Sequence, residues 1–174
     1  VHARENLGLR DGFFQNSEAD QRKVIQAIRK YRPQVLLCNA VADRHPDHGR
    51  SAALVRDAAF LSGLARIETQ DADGQPQEAW RPRRVFHYIQ DRLMMPHFVV
   101  DITPYFELKM KSILAYGSQF YQPGASGPQT YISGEGFLKF QEARNREIGH
   151  LVGAEFGEGF LSDTPLRGDG LMGL

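Results

Sequence analysis

Gln34-Val35-Leu36-Leu37-Cys38-Asn39-Ala40 is a short apolar run without polar alternation, and Asp43-Arg44-His45-Pro46-Asp47-His48 follows it almost directly. Such a run reads as a strand buried on both faces of a parallel sheet, so a central position is expected for it. Ala52, Ala53, Val55, Ala59 and Phe60 then form a helical stretch that ends at Gly63. The polar cluster therefore occupies a strand-to-helix turn. In open α/β sheets that turn lies at the carboxyl ends of the strands, where ligands bind.

Working outward from this stretch, Ser17 followed by Asp20 resembles an N-cap with an acidic first turn, and Val24, Ile25, Ile28 and Tyr31 recur at helical spacing. A helix over about 17–31 is predicted, stopped by Pro33. Residues 1–14 hold neither a strong strand nor an amphipathic helix, and the chain opens on Val1, which reads as a start in the middle of a fold. On the other side, Gln70 to Pro82 has the composition of a surface loop. Val85–Ile89 and Phe98–Ile102 read as strands, the second leading through Asp101 or Thr103 as N-cap and Pro104 into a helix carrying Phe106, Met110, Ile113 and Leu114. A Pro/Gly segment spans Gln122–Gln129. A last helix over about 134–151 should turn Phe137, Phe140, Ala143, Ile148 and Leu151 inward, and the tail beyond Gly153 reads as irregular.

This order of elements predicts an α/β fold, a Rossmann-like layered sheet that is mostly parallel and flanked by helices, in one domain over 1–174. Three or four strands are few for a complete doubly wound sheet, so the N-terminal strand or strands are expected to be missing.

Composition narrows the function. Lys+Arg and Asp+Glu balance at 21 each, so no net field draws the chain to nucleic acid or to an anionic membrane, and small neutral or weakly acidic ligands suit it better. No apolar stretch approaches the roughly 20 residues that span a bilayer, and no signal-peptide pattern is present, which points to a cytoplasmic protein. The single cysteine, Cys38, sits in the apolar run as a small buried hydrophobe, so thiol catalysis is not expected. Neither a Gly-rich phosphate loop nor a G-x-S-x-G elbow occurs.

The cluster from His45 to His48 is where chemistry is expected. Two imidazoles and a carboxylate within four residues can hold a metal, because neutral imidazole is a common zinc ligand and its second nitrogen is often fixed by a carboxylate. His45 and His48 need not both ligate. One can hold the metal while the other stabilises an oxyanion or protonates a leaving amine. A structural role is also open, since Asp47 is a plausible N-cap and His48 could cap the helix that follows. Arg44 and Asp43 flank the cluster, and the Arg44 guanidinium can clamp a carboxylate or sugar hydroxyls, or form a solvent ion pair. Tyr88, Gln90, Arg92, Tyr121 and Tyr131 are polar groups at strand ends and loops that could meet a sugar. His2, His87, His97 and His150, taken singly, read as surface or hydrogen-bonded core residues.

Asp43-Arg44-His45-Pro46-Asp47-His48, the helix with Ala58-Ala59-Phe60-Leu61-Ser62-Gly63, and Trp80-Arg81-Pro82 resemble the LmbE-like (PIG-L) N-acetylglucosaminyl deacetylases. Arg4-Glu5-Asn6-Leu7-Gly8-Leu9, Tyr31-Arg32-Pro33, Phe98-Val99-Val100-Asp101-Ile102 and Ser118-Gln119-Phe120-Tyr121 are similar to the bacillithiol biosynthesis branch of that family, which deacetylates N-acetylglucosaminyl malate. The resemblance implies His48 as a metal ligand for Zn2+, or another divalent metal such as Fe2+. It implies His45 as the catalytic group that steadies the intermediate, with Asp47 as its support, and Arg44 beside the substrate's carboxylates. It also implies a homo-oligomer, trimer or hexamer. The family's A-H-P-D-D motif, which carries the remaining metal ligands and the general base, has no counterpart here. This chain alone is therefore expected to be inactive until those residues are supplied. The alternatives are a catalytically inactive sugar-binding or assembly subunit of the same fold, and a metal-free α/β binding module.

Overall fold

The computed structural model describes residues 1–120 and 130–168, apart from the side chain of residue 135. The Pro/Gly segment Gln122–Gln129, Tyr121 and the last residues of the tail lie outside that description. The architecture is mixed α/β, with a four-stranded sheet flanked by helices. The chain divides into two compact units, Val1–Met95 together with Phe160–Leu174, and Pro96–Gly159.

The first unit begins with helix α1, Glu18–Tyr31, whose N-terminus is held as the sequence predicts: the Ser17 hydroxyl accepts the Asp20 N–H at 3.3 Å. Arg32 closes it in the left-handed region at φ 48°. Strand β1, Val35–Cys38, leads to helix α2, Pro46–Leu61, and strand β2, Arg84–Tyr88, lies parallel to β1 in register Leu36 to Val85. Val24, Ile25, Ile28, Leu54, Ala58 and Ala59 form the core between α1 and α2, with Leu36, Val85 and Trp80 packed against it.

Arg29 is a charge inside that core, 5% exposed. It is tolerable because its guanidinium donates to the carbonyls of Ser62, Leu64 and Ile67 and to the Thr69 hydroxyl at 2.6 to 3.1 Å. Those carbonyls lie at and just beyond the end of α2, where helical geometry leaves acceptors unsatisfied. One side chain of α1 thus caps α2.

Strand β4, Gly157–Ser162, is the main departure from expectation, since this stretch reads as irregular tail. Its residues Phe160–Ser162 run antiparallel to Phe86–Tyr88. Strand β3 is Phe98–Asp101, and the sheet order is β1-β2-β4-β3. The expected central position of β1 is therefore corrected: β1 is an edge strand, and Val35 and Leu37 are 51% and 54% exposed. The expected burial on both faces is corrected as well: among the described residues nothing covers the face that carries Val35 and Leu37, so an unbroken apolar run specifies a strand but neither its neighbours nor its covering layers.

In the second unit, a 3-10 turn at Thr103–Tyr105 follows β3, with the Asp101 carboxylate accepting the Thr103 N–H at 2.8 Å. Helix α3 is Phe106–Leu114 and helix α4 is Glu135–His150. Of the residues expected inward on α4 only Ile148 is buried; Ala143 is exposed, and Phe140 and Leu151 are 37% and 53% exposed. The buried stripe is Gln141, Arg144, Asn145 and Ile148, a helical period made mostly of polar groups. Counting apolar residues misplaces such a face. Lys109 of α3 satisfies it in part, donating to Asn145 Oδ1 at 2.9 Å and pairing with Glu158. Gly157 explains why a glycine-rich stretch makes a strand here: a Cβ on it would lie 2.8 Å from the Gly149 Cα at the end of α4. The two backbones touch, which any side chain would prevent.

Candidate metal and catalytic site

The loops that leave the carboxyl ends of the parallel strands β1 and β2 bring Asn39, Asp43, His45, His48, Gln90 and Asp91 together in the first unit. Asp43 is the anchor. Its carboxylate is fully buried, with Oδ1 accepting the N–H groups of Asp91 and Arg92 at 3.1 and 2.8 Å and Oδ2 paired with His48 Nδ1. Burial alone pushes its carboxyl up, but the Arg92 N–H, the His48 ring and the Arg44 N–H outweigh that and hold it below the ordinary value.

A carboxylate can only accept, so the neutral His48 ring carries its proton on Nδ1 and presents a bare lone pair at Nε2. The Gln90 amino group meets that lone pair at 3.3 Å. A carboxylate behind one ring nitrogen and a lone pair at the other is the arrangement that metal-binding histidines use.

His45 takes a different tautomer. It is the N-cap of α2, where its Nδ1 accepts the Asp47 N–H at 3.2 Å, so its proton sits on Nε2. Pro46 at the first helical position, with φ fixed for a helix, makes this start abrupt. The cap is thus His45, where the sequence suggests Asp47 or His48, and His48 lies inside the first turn of the helix. The two imidazoles stand 5.4 Å apart between ring centroids, tilted by 35°. One offers a lone pair and its neighbour an N–H.

Asp47 turns away from this pair. Its carboxylate accepts the Gly12 N–H at 2.6 Å and Arg50 Nη1 at 3.0 Å, tying residues 10–14 to α2. Burial opposes ionisation, and the Gly12 N–H, Arg50 and His45 overcome it, so its carboxyl also lies below the ordinary value. Arg44 Nε faces Asp91 Oδ2 at 3.7 Å, the ion-pair option the sequence left open.

His87 behaves as the hydrogen-bonded core histidine expected of it. With no exposure, its Nδ1 faces the Asn39 carbonyl at 2.8 Å and its Nε2 the Asp163 carboxylate at 3.2 Å. Cys38 lies beside it at 3.2 Å, and burial pushes the thiol up to about 12, which removes it as a nucleophile.

Asp43 is the residue that sequence reasoning passes over. It reads as a flanking charge because its position outside the H-P-D-H core gives no hint that Oδ1 is sealed by the β2 loop. Whether the residues fit a metal depends on the donor count. The donor His48 offers has the right chemistry for zinc, but among the described residues no group of three or more His, Cys, Asp or Glu is arranged to hold an ion.

No family model matches the chain. Among solved structures it is similar to the conserved protein TT1542 from Thermus thermophilus, at 29% identity and a TM-score of 0.80, over 96% of this chain and 68% of that one. It shares its fold with N,N'-diacetylchitobiose deacetylase from Pyrococcus horikoshii, at 23% identity, a TM-score of 0.69 and coverage of 88% and 54%. It also shares it with GalB, the 4-carboxy-2-hydroxymuconate hydratase of Pseudomonas putida, at 14% identity, a TM-score of 0.67 and coverage of 94% and 65%. The chain thus spans between about half and two-thirds of the length of these proteins. An amide hydrolase and a hydratase carry the same fold, so chemistry has to be argued from the site. No helix among the described residues is long and apolar enough to cross a membrane.

Proposed function

We propose that this chain is part of an LmbE-like, zinc-dependent deacetylase that hydrolyses the acetamide of an N-acetylglucosaminyl conjugate. The observation that carries the reading is the His48 ring, whose Nδ1 is held by the buried Asp43 carboxylate and whose Nε2 carries a lone pair, here met by the Gln90 amino group, of the kind that ligates zinc. The fold shared with a chitobiose deacetylase and the H-P-D-H resemblance agree with it.

In this reading His48 contributes one metal donor and the others come from beyond the described residues. Such residues would also cover the face of β1 on which Val35 and Leu37 now meet water. Zinc, when bound, lowers the pKa of water and polarises an acyl carbonyl. Fe2+ would serve the same Lewis-acid role. His45 acts through Nε2–H, donating a hydrogen bond to the oxygen on which charge develops. Asp47 is a positioning residue that fixes the helix start from which His45 projects. Within the substrate class we favour N-acetylglucosaminyl malate, because the quoted segments resemble the bacillithiol branch and Arg44 could turn from Asp91 to a malate carboxylate. By the same resemblance we propose a cytoplasmic homo-oligomer, a trimer or hexamer.

The test is zinc content and acetate release by the complete protein, offered N-acetylglucosaminyl malate, diacetylchitobiose and an unsaturated carboxylic acid. Near-stoichiometric zinc and acetate from an N-acetyl sugar support the proposal, as does loss of both in His48→Ala. Hydration of the unsaturated acid without acetate release, or full activity in His48→Ala, would sink it.

A further inference from the structure

The hydrogen bonds of His87 do not close with the single N–H proton that a neutral imidazole carries. The ring is fully buried, its Nδ1 faces the Asn39 carbonyl at 2.8 Å, and its Nε2 faces the Asp163 carboxylate at 3.2 Å. Both partners only accept. In either tautomer of a neutral ring, a bare lone pair is therefore turned on an acceptor. Cys38 does not repair this. Its Sγ lies 3.2 Å from Nδ1, but a thiol is a weak donor, and lending its proton there would leave the Asn39 carbonyl against a lone pair. With a proton on each nitrogen both bonds form, and the one to Asp163 is charge-assisted.

We propose that His87 is held as an imidazolium and that its Nε2 proton latches the chain beyond β4 to the sheet, a tie that opens as pH rises. The groups around the ring favour this. Cys38 on β1 and Tyr88 beside His87 on β2 are held protonated by burial, and the Arg56 cation of α2 is offset by Asp57 at 3.3 Å. Asp163 is the anion left to pair with the ring. Its side chain is 32% exposed, so water hydrates the carboxylate when the bond breaks, and Nε2 gives up its proton before Nδ1 does. The ladder between β2 and β4 is short, Phe86–Tyr88 against Phe160–Ser162, and Asp163 follows directly on it. Opening the latch therefore frays the ladder from that end.

The test follows two signals in the complete protein, labelled with 15N, from about pH 5 to 9, the range that brackets an ordinary histidine. One is the protonation of the two His87 ring nitrogens. The other is amide-exchange protection over 160–164, corrected for the intrinsic rate. Asp163→Asn is the informative variant, because its amide group can donate to a bare Nε2 and so satisfies a neutral ring. In the parent, both nitrogens should be protonated at the acid end. As the Nε2 proton leaves, protection should fall by roughly ten-fold or more, the worth of a charge-assisted bond. In Asp163→Asn, protection should stay level through the interval in which the parent changes. Asp163→Ala, with no partner for the ring, should lack the extra protection at every pH. A parent ring that keeps the same protonation throughout overturns the inference, and so does one that titrates without loss of protection. Parent-like pH dependence in Asp163→Asn, or full protection in Asp163→Ala, overturns it as well.

Discussion

Asp43 and His48 sit five residues apart on either side of the α2 N-cap, and the buried carboxylate of the first decides which nitrogen of the second can bind anything. The bond joins the loop after β1 to the helix after it, while the second carboxylate oxygen of Asp43 is held by the loop after β2. Three segments are thereby fixed around one imidazole.

Asp43→Asn should weaken zinc binding by about 10–100-fold, the range found when such supporting carboxylates are removed. It should also cost roughly 1–3 kcal/mol of stability, because an amide cannot accept from two N–H groups and from His48 without turning a donor toward one of them. The sign with pH follows from the lowered carboxyl. Its stabilisation is complete above the ordinary carboxylate range of about 4 and is lost as pH falls through the lower folded value. Urea unfolding of parent and variant should therefore differ at neutral pH and converge in strong acid; a gap that widens in acid contradicts the assignment.

His45 combines a cap with a proposed catalytic donor, and two substitutions separate them. Asparagine is a strong N-cap and alanine is not, so His45→Ala should lose about 1 kcal/mol and His45→Asn only a fraction of that. Both should lower kcat of the complete protein by about 10²–10⁴-fold if Nε2–H acts in the reaction. Activity that tracks stability across the pair would leave His45 only its cap.

Cys38 should resist thiol reagents in the native state. With its pKa pushed up to about 12, the thiolate fraction at pH 8 is on the order of one in ten thousand. A raised thiol pKa stabilises the fold fully below the unfolded value of about 9, and that contribution declines as pH rises toward 12. Labelling with iodoacetamide followed by mass spectrometry should show modification only on unfolding, and fast labelling of the folded protein would contradict the burial.

Arg29→Ala should be among the most damaging single changes, about 3 kcal/mol or more, since it strips the donor from three carbonyls and a hydroxyl around the end of α2. Arg29→Lys should recover little, because one ammonium cannot span acceptors arranged for a planar fork. Thermal unfolding of both variants checks the order.

What the sequence by itself determined is local. Ser17 and the spacing of Val24, Ile25 and Ile28 specify α1, the apolar run specifies a strand at 35–38, and the density of His45, Asp47 and His48 marks the turn where chemistry belongs, because each of these signals is carried by neighbours within a few residues. Tertiary structure decided the rest. It placed β1 at an edge, made a strand of Gly157–Ser162 by letting glycine backbones meet, and turned a polar face of α4 inward against Lys109. It also sealed Asp43 with the loop after β2, which made it the supporting carboxylate of His48, and gave Asp47 to Gly12. The placing of Asp43 and Asp47 depends on which groups 35 to 49 positions away come within hydrogen-bonding reach, and periodicity holds no information about that until the chain has folded.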